Sequence, residues 1–355
     1  MASYDVAVIG AGPAGATAAY RLARAGAHVL LVDKARFPRD KPCGGGVTAR
    51  AARLLPFSIE PVVEDELDRL QLSLRYRWRF QREARSPLAY MTQRRRLDHF
   101  LLQKAREAGA EVREETTVDA REVDATYVVG ADGCNGTSAK ELDLGREIIH
   151  GVALEANYPY DARFAHTMVL DLAVIEGGYG WIFPKSDHLN LGVGGNASEG
   201  PKLRAELRRL CETHGVDPDA ATDTRGYRLP MRTPATRLVR ENAAVIGDAA
   251  GLIDPFSGDG MFEAFLSARL VADAIVAGDL PSYADAVARR IAPVTAAGWG
   301  AKRAFERFPR AAYLAARLPP SFRALERLLT GELAVPGDAR GLEKGAMRLI
   351  YRLAS

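Results

Sequence analysis

A short apolar run, Tyr4 to Ile9, leads directly into Gly10-Ala11-Gly12-Pro13-Ala14-Gly15 and then into an alanine-rich stretch ending near Gly26. Strand, glycine turn and helix in that order restrict the fold more than any other feature of the chain. Gly10 permits the tight turn and Gly12 lets backbone N–H groups approach a pyrophosphate. Gly15 allows helix and strand to pack closely, with Ala14 opening the helix beside it. Phosphates would rest on the helix N-terminus, where free N–H groups and the dipole favour anions. A second strand, His28 to Val32, delivers Asp33 about twenty residues on, followed by Lys34. A carboxylate there can bond ribose hydroxyls and would repel a 2′-phosphate. The pattern predicts a Rossmann-type unit holding an adenine dinucleotide and leaves FAD and NAD both open.

A chain of 355 residues, 47% hydrophobic and 26% charged, has room for two joined domains with their own cores. Cys43, Cys134 and Cys211 are odd in number and far apart. That usage predicts a reducing cytoplasm rather than a disulfide framework, and no metal-site spacing is present. No export signal and no apolar run of about 18 residues is found. The net charge of +3 is unevenly spread, for residues 289–355 carry 13 Lys and Arg against 5 Asp and Glu. Such a basic tail suits either a solvated helix face or peripheral contact with an anionic membrane or acidic partner. Nucleic-acid binding is not expected, since no zinc-finger, RNP-like or basic heptad motif accompanies the charge.

Further on, Ala243 to Ile246 reads as another strand, turning through Gly247-Asp248 into a loop with Pro255, Gly258 and Gly260 and then a helix from Met261. Asp248 at a strand end can accept from a ribityl hydroxyl, and backbone N–H groups near Gly258 to Met261 can meet the electron-rich edge of an isoalloxazine. With these segments in hand the sequence resembles the p-hydroxybenzoate hydroxylase-like flavoproteins, and within them the geranylgeranyl reductase family. Asp132-Gly133 is similar to the superfamily's Asp-Gly motif, and Arg94 with Leu97-Asp98 to its Arg-x-x-Phe-Asp helix start. Lys41-Pro-Cys43-Gly44-Gly45-Gly46 and Tyr179-Gly-Trp181-Ile-Phe183-Pro184 are similar to the narrower family's Cys-Gly-Gly and Tyr-x-Trp-x-Phe-Pro motifs. The resemblance covers about residues 4–290. It departs in a short stretch between Val118 and Asp132 and in Gly136-Thr137-Ser138, which stands where an Asn-Ser-x-Val-Arg ending is usual.

The resemblance implies FAD as cofactor, with NADPH or ferredoxin as electron donor. It implies an α/β fold in which a discontinuous Rossmann-type FAD-binding domain (1–58, 88–142 and 240–285) joins an antiparallel β-sheet substrate domain (59–87 and 143–239). A helical region, 286–355, follows. Val118, Gly44 to Gly46 and Arg94 join the expected cofactor contacts. No second dinucleotide fingerprint exists, because Gly192-Val193-Gly194-Gly195 sits inside a strand pattern.

Leu70 to Phe80 alternates with period two and reads as one amphipathic strand, with Arg75, Arg77 and Arg79 on one side and Tyr76, Trp78 and Phe80 on the other. That cationic row suits a solvated sheet face or a phosphate head group. Tyr179, Trp181 and Phe183 alternate on a strand that Pro184 ends, so they share a face. They are either core or the lining of an apolar, isoprenoid site. Cys43 is either a small buried residue or a thiol beside the flavin able to give a proton to an alkene. His150, His166, His188 and His214 lack a partner at any hydrolase-like spacing. The expected activity is reduction of carbon–carbon double bonds in a polyprenyl, geranylgeranyl-type chain. Its rivals are a flavin monooxygenase or halogenase acting on an aromatic substrate, and a flavin or lipid carrier without turnover. A halogenase needs a lysine in the pocket, and none lies between Lys41 and Lys104.

Overall fold

The apolar run Tyr4–Ile9 buries Val6 to Ile9 because it becomes an inner strand of a sheet. In this computed structural model, which describes residues 2–353, that sheet has six strands. Their order is Val239–Arg240, Ala243–Val245, Ala125–Gly130, Tyr4–Ile9, Val29–Val32 and Glu111–Arg113. Every pairing is parallel except the edge hairpin of Val239–Arg240 with Ala243–Val245. The helix Pro13–Arg24 packs against Arg94–Glu107 and Met261–Val276. Strand order reverses between Tyr4–Ile9 and Ala125–Gly130, and a crevice opens at the carboxyl ends of such strands. There the two chains nearly touch: a Cβ on Gly10 would lie 2.6 Å from the backbone of Ala131.

A second sheet has seven strands, ordered Thr222–Arg232, Ile148–Pro159, His188–Asn196, Tyr179–Pro184, Thr167–Leu172, Arg69–Leu74 and Arg77–Glu83. The helix Leu203–His214 covers one face, burying Leu207 and Leu210 with Ile182, Leu191 and Val193. On the other face Leu70, Leu72, Leu74 and Leu172 meet Tyr313 and Phe322 from the C-terminal helices. The sheet is antiparallel apart from one seam, where Arg69–Leu74 runs parallel to Thr167–Leu172. A small third sheet joins Gly46–Thr48, Ala89–Met91 and Asp65–Leu67.

Leu70 to Phe80 is not a single strand. The chain reverses at Arg75 and Tyr76, whose φ angles are 51° and 64°, and returns as Arg77–Glu83. Two consecutive positive-φ residues make the tight hairpin turn that Asn and Gly usually occupy, so alternation runs through it without a turn signal. Arg75, Arg77 and Arg79 therefore do not form one cationic row.

The C-terminal region is helical over Ser282–Arg290, Ala292–Arg307, Pro309–Ala316, Pro319–Thr330 and Gly341–Arg352. Pro309 and Pro319 open helices, where a missing N–H costs nothing. Tyr313 ties this region down by donating to the carbonyls of Leu72 (3.3 Å) and Trp78. No helix of the described residues is long and apolar enough to cross a membrane.

Candidate functional site

One cavity of about 870 Å³ begins at the glycine loop, passes the Cys43 segment and ends beneath the C-terminal helices. Cys43, the aromatic trio Tyr179, Trp181 and Phe183, and every expected cofactor contact lie on its wall except Gly15 and Gly247, which act behind it, whereas Arg75, Arg77 and Arg79 do not line it. A Cβ on Gly15 would fall 1.8 Å from the carbonyl of Gly10, so only glycine lets helix and loop meet. Gly247, at φ 55°, brings its loop against Ala14, 2.9 Å from where its own Cβ would sit.

At the nucleotide end the helix Pro13–Arg24 starts at Gly12 with no side chain capping it, facing the cavity. Uncapped N–H groups beside a cleft form an anion site. Asp33 accepts from the N–H of Ala11 at 2.7 Å and of Ala35 at 2.8 Å, so it latches the loop while lining the cleft with Lys34 and Val118. Asp132 is enclosed by its own turn, accepting from the N–H groups of Thr137 (2.8 Å) and Ser138 (3.0 Å). A Cβ at Gly136 would lie 2.0 Å from that carboxyl carbon, which accounts for the glycine in the divergent Gly136-Thr137-Ser138 segment. Arg39, not singled out in the sequence, lies 3.7 Å from the modest space above Gly12 and pairs with Asp98 at 3.0 Å. Asp98 is fully buried and also receives Arg94 through two 2.7 Å bonds.

In the middle, Asp248 meets Lys41 at 3.3 Å and the hydroxyl of Tyr227 at 3.0 Å. The turn Gly258 to Gly260 precedes Met261–Val276, and Pro255 lies on the cavity wall beside it. Asp259 accepts from the N–H of Met261 at 2.8 Å. Burial pushes the carboxyls of Asp259 and Glu263 up, Glu263 well above the carboxylate range with Asp259 adding to it. Thr48 Oγ1, Arg50 Nε and Asp259 Oδ2 are buried on or behind this wall without a partner. Buried polar atoms normally find one. A flat ring with a polar edge fits this stretch, as a pyrophosphate fits the glycine loop, so the cavity suits FAD. Gly12 to Gly15 would hold its phosphates, Asp33 its ribose, Asp248 its ribityl chain, and Gly258 to Met261 the polar edge of its ring.

Cys43 is half-buried and packs against a cluster that includes Val47, Leu97, Met261 and Phe265. Its N–H donates to Glu155 Oε1 at 2.6 Å, and the N–H of Gly45 approaches its sulfur at 3.4 Å. A Cβ on Gly44 would press on the ring of Phe183 at 2.8 Å, and one on Gly45, at φ 74°, would strike Thr92 O at 2.0 Å. Gly46 begins the strand paired with Met91. The aromatic strand stands opposite this segment, with ring centroids 6.0 Å apart for Tyr179 and Trp181 and 6.2 Å for Trp181 and Phe183. Trp181 donates to Asn190 at 2.9 Å, and Tyr179 donates to the carbonyl of Ser257. Lys185 follows immediately, and its ammonium donates to the carbonyls of Gly44 and Thr92. Glu155 and Lys185 were missed because their partners are backbone groups far away in the chain.

Beyond the aromatic strand the walls are Leu70, Leu72, Phe80, Met168 and Leu170 from the sheet, with Phe305, Phe322 and Leu325 from the helices. The sequence assigned residues 290–355 no role at the site, yet they form the roof of this arm. A polar constellation lies away from the cavity: Asp171 accepts from Ser73 and pairs with His214 at 2.6 Å. The acid sits between the other two, so the histidine does not reach the serine hydroxyl as hydrolysis requires.

Residues 5–93 match the model of FAD dependent oxidoreductases and residues 81–276 that of an FAD binding domain. The menaquinone reductase of Mycobacterium tuberculosis is 31% identical over 78% of this chain and 78% of its own. A digeranylgeranylglycerophospholipid reductase of Methanopyrus kandleri is 31% identical over 77% of this chain and 80% of its own. Among solved structures, a geranylgeranyl bacteriochlorophyll reductase-like protein of Thermoplasma acidophilum has a TM-score of 0.72 at 21% identity, covering 98% of this chain and 95% of its own. A flavin-dependent brominase reaches 0.76 at 20% identity, with 97% of each chain covered. At such identities these two structures speak for the fold alone. The curated relatives, the matched models and the FAD-shaped cleft agree: the chain belongs to the geranylgeranyl reductase-like family of FAD-dependent oxidoreductases.

Proposed function

We propose that this protein reduces isolated carbon–carbon double bonds in a geranylgeranyl-type polyprenyl substrate. The observation that carries the reading is the continuity of one cavity from the glycine loop, past Cys43, into an apolar arm. In this reading the six-stranded sheet and its helices are the FAD-binding unit, and the seven-stranded sheet with the C-terminal helices encloses the substrate. Reduced FAD would supply hydride to one alkene carbon, and Cys43 is assigned the proton for the other. An isolated alkene accepts hydride poorly, so exclusion of water and a placed proton donor must lower the barrier. Tyr179, Trp181 and Phe183 hold the reacting segment against the Cys43–Gly46 backbone, and NADPH or a ferredoxin recharges the cofactor. The test is anaerobic: photoreduced protein is mixed with a geranylgeranyl lipid while flavin absorbance and product mass are followed. Reoxidation with mass rising in steps of two hydrogens is expected; unaltered lipid over a fully reduced flavin would end the proposal.

One observation favours the monooxygenase or halogenase alternative. The expected lack of a pocket lysine does not hold, because Lys302, from the helix Ala292–Arg307, lies on the cavity wall and donates to the Gly177 carbonyl. Flavin reoxidation that waits for oxygen would select that alternative.

We further propose that the roof of the apolar arm rests on an anionic membrane. Arg310, Leu314 and Arg317 recur at helical spacing along one side of the Pro309–Ala316 helix and just beyond it. Leu314 and Leu318 are exposed, and Arg310 stacks on exposed Trp78 at 5.7 Å. Apolar side chains ringed by arginine suit an interfacial site. Leu314→Asp is expected to lower co-sedimentation with phosphatidylserine-rich vesicles about tenfold, as removing one buried leucine implies. Equal binding by the variant would dismiss this contact.

A further inference from the structure

Lys185 stands out because its charge lacks a counter-ion. Its side chain is buried, it donates to two carbonyls, of Gly44 and, at 2.8 Å, of Thr92, and no carboxylate among the described residues lies within ion-pair distance. A buried ammonium so placed is costly unless negative charge arises beside it. Four ionisable groups surround the spot. Glu64 is held by Arg96 at 2.9 Å and Gln93 at 3.0 Å. Glu155, from the strand Ile148–Pro159, accepts the Cys43 N–H, and burial pushes its carboxyl up against the pull of Lys185, Arg94 and Arg225. Arg94 is committed to Asp98 through a two-bond ion pair. The remaining group is Cys43, whose sulfur lies 3.4 Å from the Gly45 N–H, in the same short turn whose Gly44 carbonyl Lys185 holds and in which a Cβ on Gly45 would lie 2.3 Å from Lys185 Nζ.

Resting on the reading of Cys43 as proton donor, we propose that Lys185 is a positioning residue. Its ammonium holds the Gly44 carbonyl and stabilises the negative charge left on the Cys43 sulfur when that thiol gives up its proton. In the proton-transfer step the S–H bond breaks, the sulfur keeps the electron pair, and the proton forms a C–H bond at the alkene carbon opposite the one that receives hydride. Water then returns a proton to the sulfur. The two electrons of the reduction come with the hydride, so the cysteine is not oxidised.

Burial pushes the Lys185 ammonium down to about 8, against the opposing pull of the acids around it. The charge is therefore in place below about pH 8 and fades above it. Alkylation of Cys43 by iodoacetamide, followed by mass spectrometry across a pH series on the full-length protein, reads the thiol directly and requires no turnover. For Lys185→Met the midpoint is expected to rise by about one unit or more, so that alkylation at neutral pH slows about tenfold. Lys185→Arg keeps the charge and is expected to keep the parent's midpoint. A merely loosened loop would change the plateau rate but not the midpoint. An unmoved midpoint in Lys185→Met overturns the proposal, as does a raised one in Lys185→Arg. Cys211, buried on the core-facing side of the helix Leu203–His214, reports folding because it is alkylated only on unfolding. Should Lys185→Met expose it, Lys185→Arg alone decides. A shifted midpoint combined with full turnover by Cys43→Ala would leave the lysine–thiol pair standing and remove Cys43 from the reaction, so the two readings fail separately.

Discussion

Cys43→Ala is expected to bind FAD and remain folded while losing roughly 10²- to 10³-fold in the rate of alkene reduction, the loss typical of a removed general acid. That corresponds to about 3 to 4 kcal/mol of barrier. The substitution deletes one sulfur from a half-buried site and keeps the backbone N–H from which Glu155 accepts, so the Cys43 loop retains its anchor. No other thiol can stand in. Cys134 sits by the carbonyl of Arg228, 3.5 Å away, and Cys211 lies in the core on the opposite face of the seven-stranded sheet. Anaerobic single-turnover reoxidation of the flavin by a geranylgeranyl lipid measures the effect. An undiminished rate would assign the proton to another group, and loss of flavin from the purified variant would mean that the cysteine serves binding instead.

Gly15→Ala should strike the fold itself. Its single added methyl would lie 1.8 Å from the Gly10 carbonyl and 3.1 Å from the Ala131 side chain, and the first of these is backbone that cannot rotate away. To admit it, the helix Pro13–Arg24 must move off the strand Tyr4–Ile9, disturbing a core in which Ala14, Ala18 and Leu22 pack with Val6, Val8 and Ala131. Overpacking against rigid backbone places the cost at about 3 kcal/mol or more. A fall in Tm of about 4 °C or more follows for a chain of this size, together with loss of FAD on gel filtration. Gly200→Ala is the control: its added Cβ would meet nothing within 4 Å, and its stability should stay within about 0.5 kcal/mol of the parent. Equal behaviour of the two variants would refute the packing argument.

Much of this protein was legible before any coordinates. Gly10, Gly12, Gly15 and Asp33 compress a strand, a turn and a helix N-terminus into some two dozen residues, and local chemistry alone dictates the outcome. The single-sided placement of Tyr179, Trp181 and Phe183 followed from the period of a strand, and Asp248 from its place after an apolar run. The hairpin at Arg75–Tyr76 was hidden because its residues carry no turn preference, and hydrophobic alternation does not register a reversal that preserves it.

What only the tertiary structure decided is everything that depends on long-range pairing. Lys185 reaches Gly44 across 141 residues, Glu155 reaches Cys43 across 112, and the helices beyond Pro309 close over a sheet begun at Arg69. Their residue types are unremarkable in isolation, and their partners are backbone groups or apolar surface that any neighbour could offer. The nucleotide cleft is legible in the sequence because its parts are contiguous and each glycine meets a local steric demand. The reaction chamber is not, because its wall is assembled from segments whose proximity is set by burial of apolar surface, a force that is non-directional and leaves no signature of which segment will meet which.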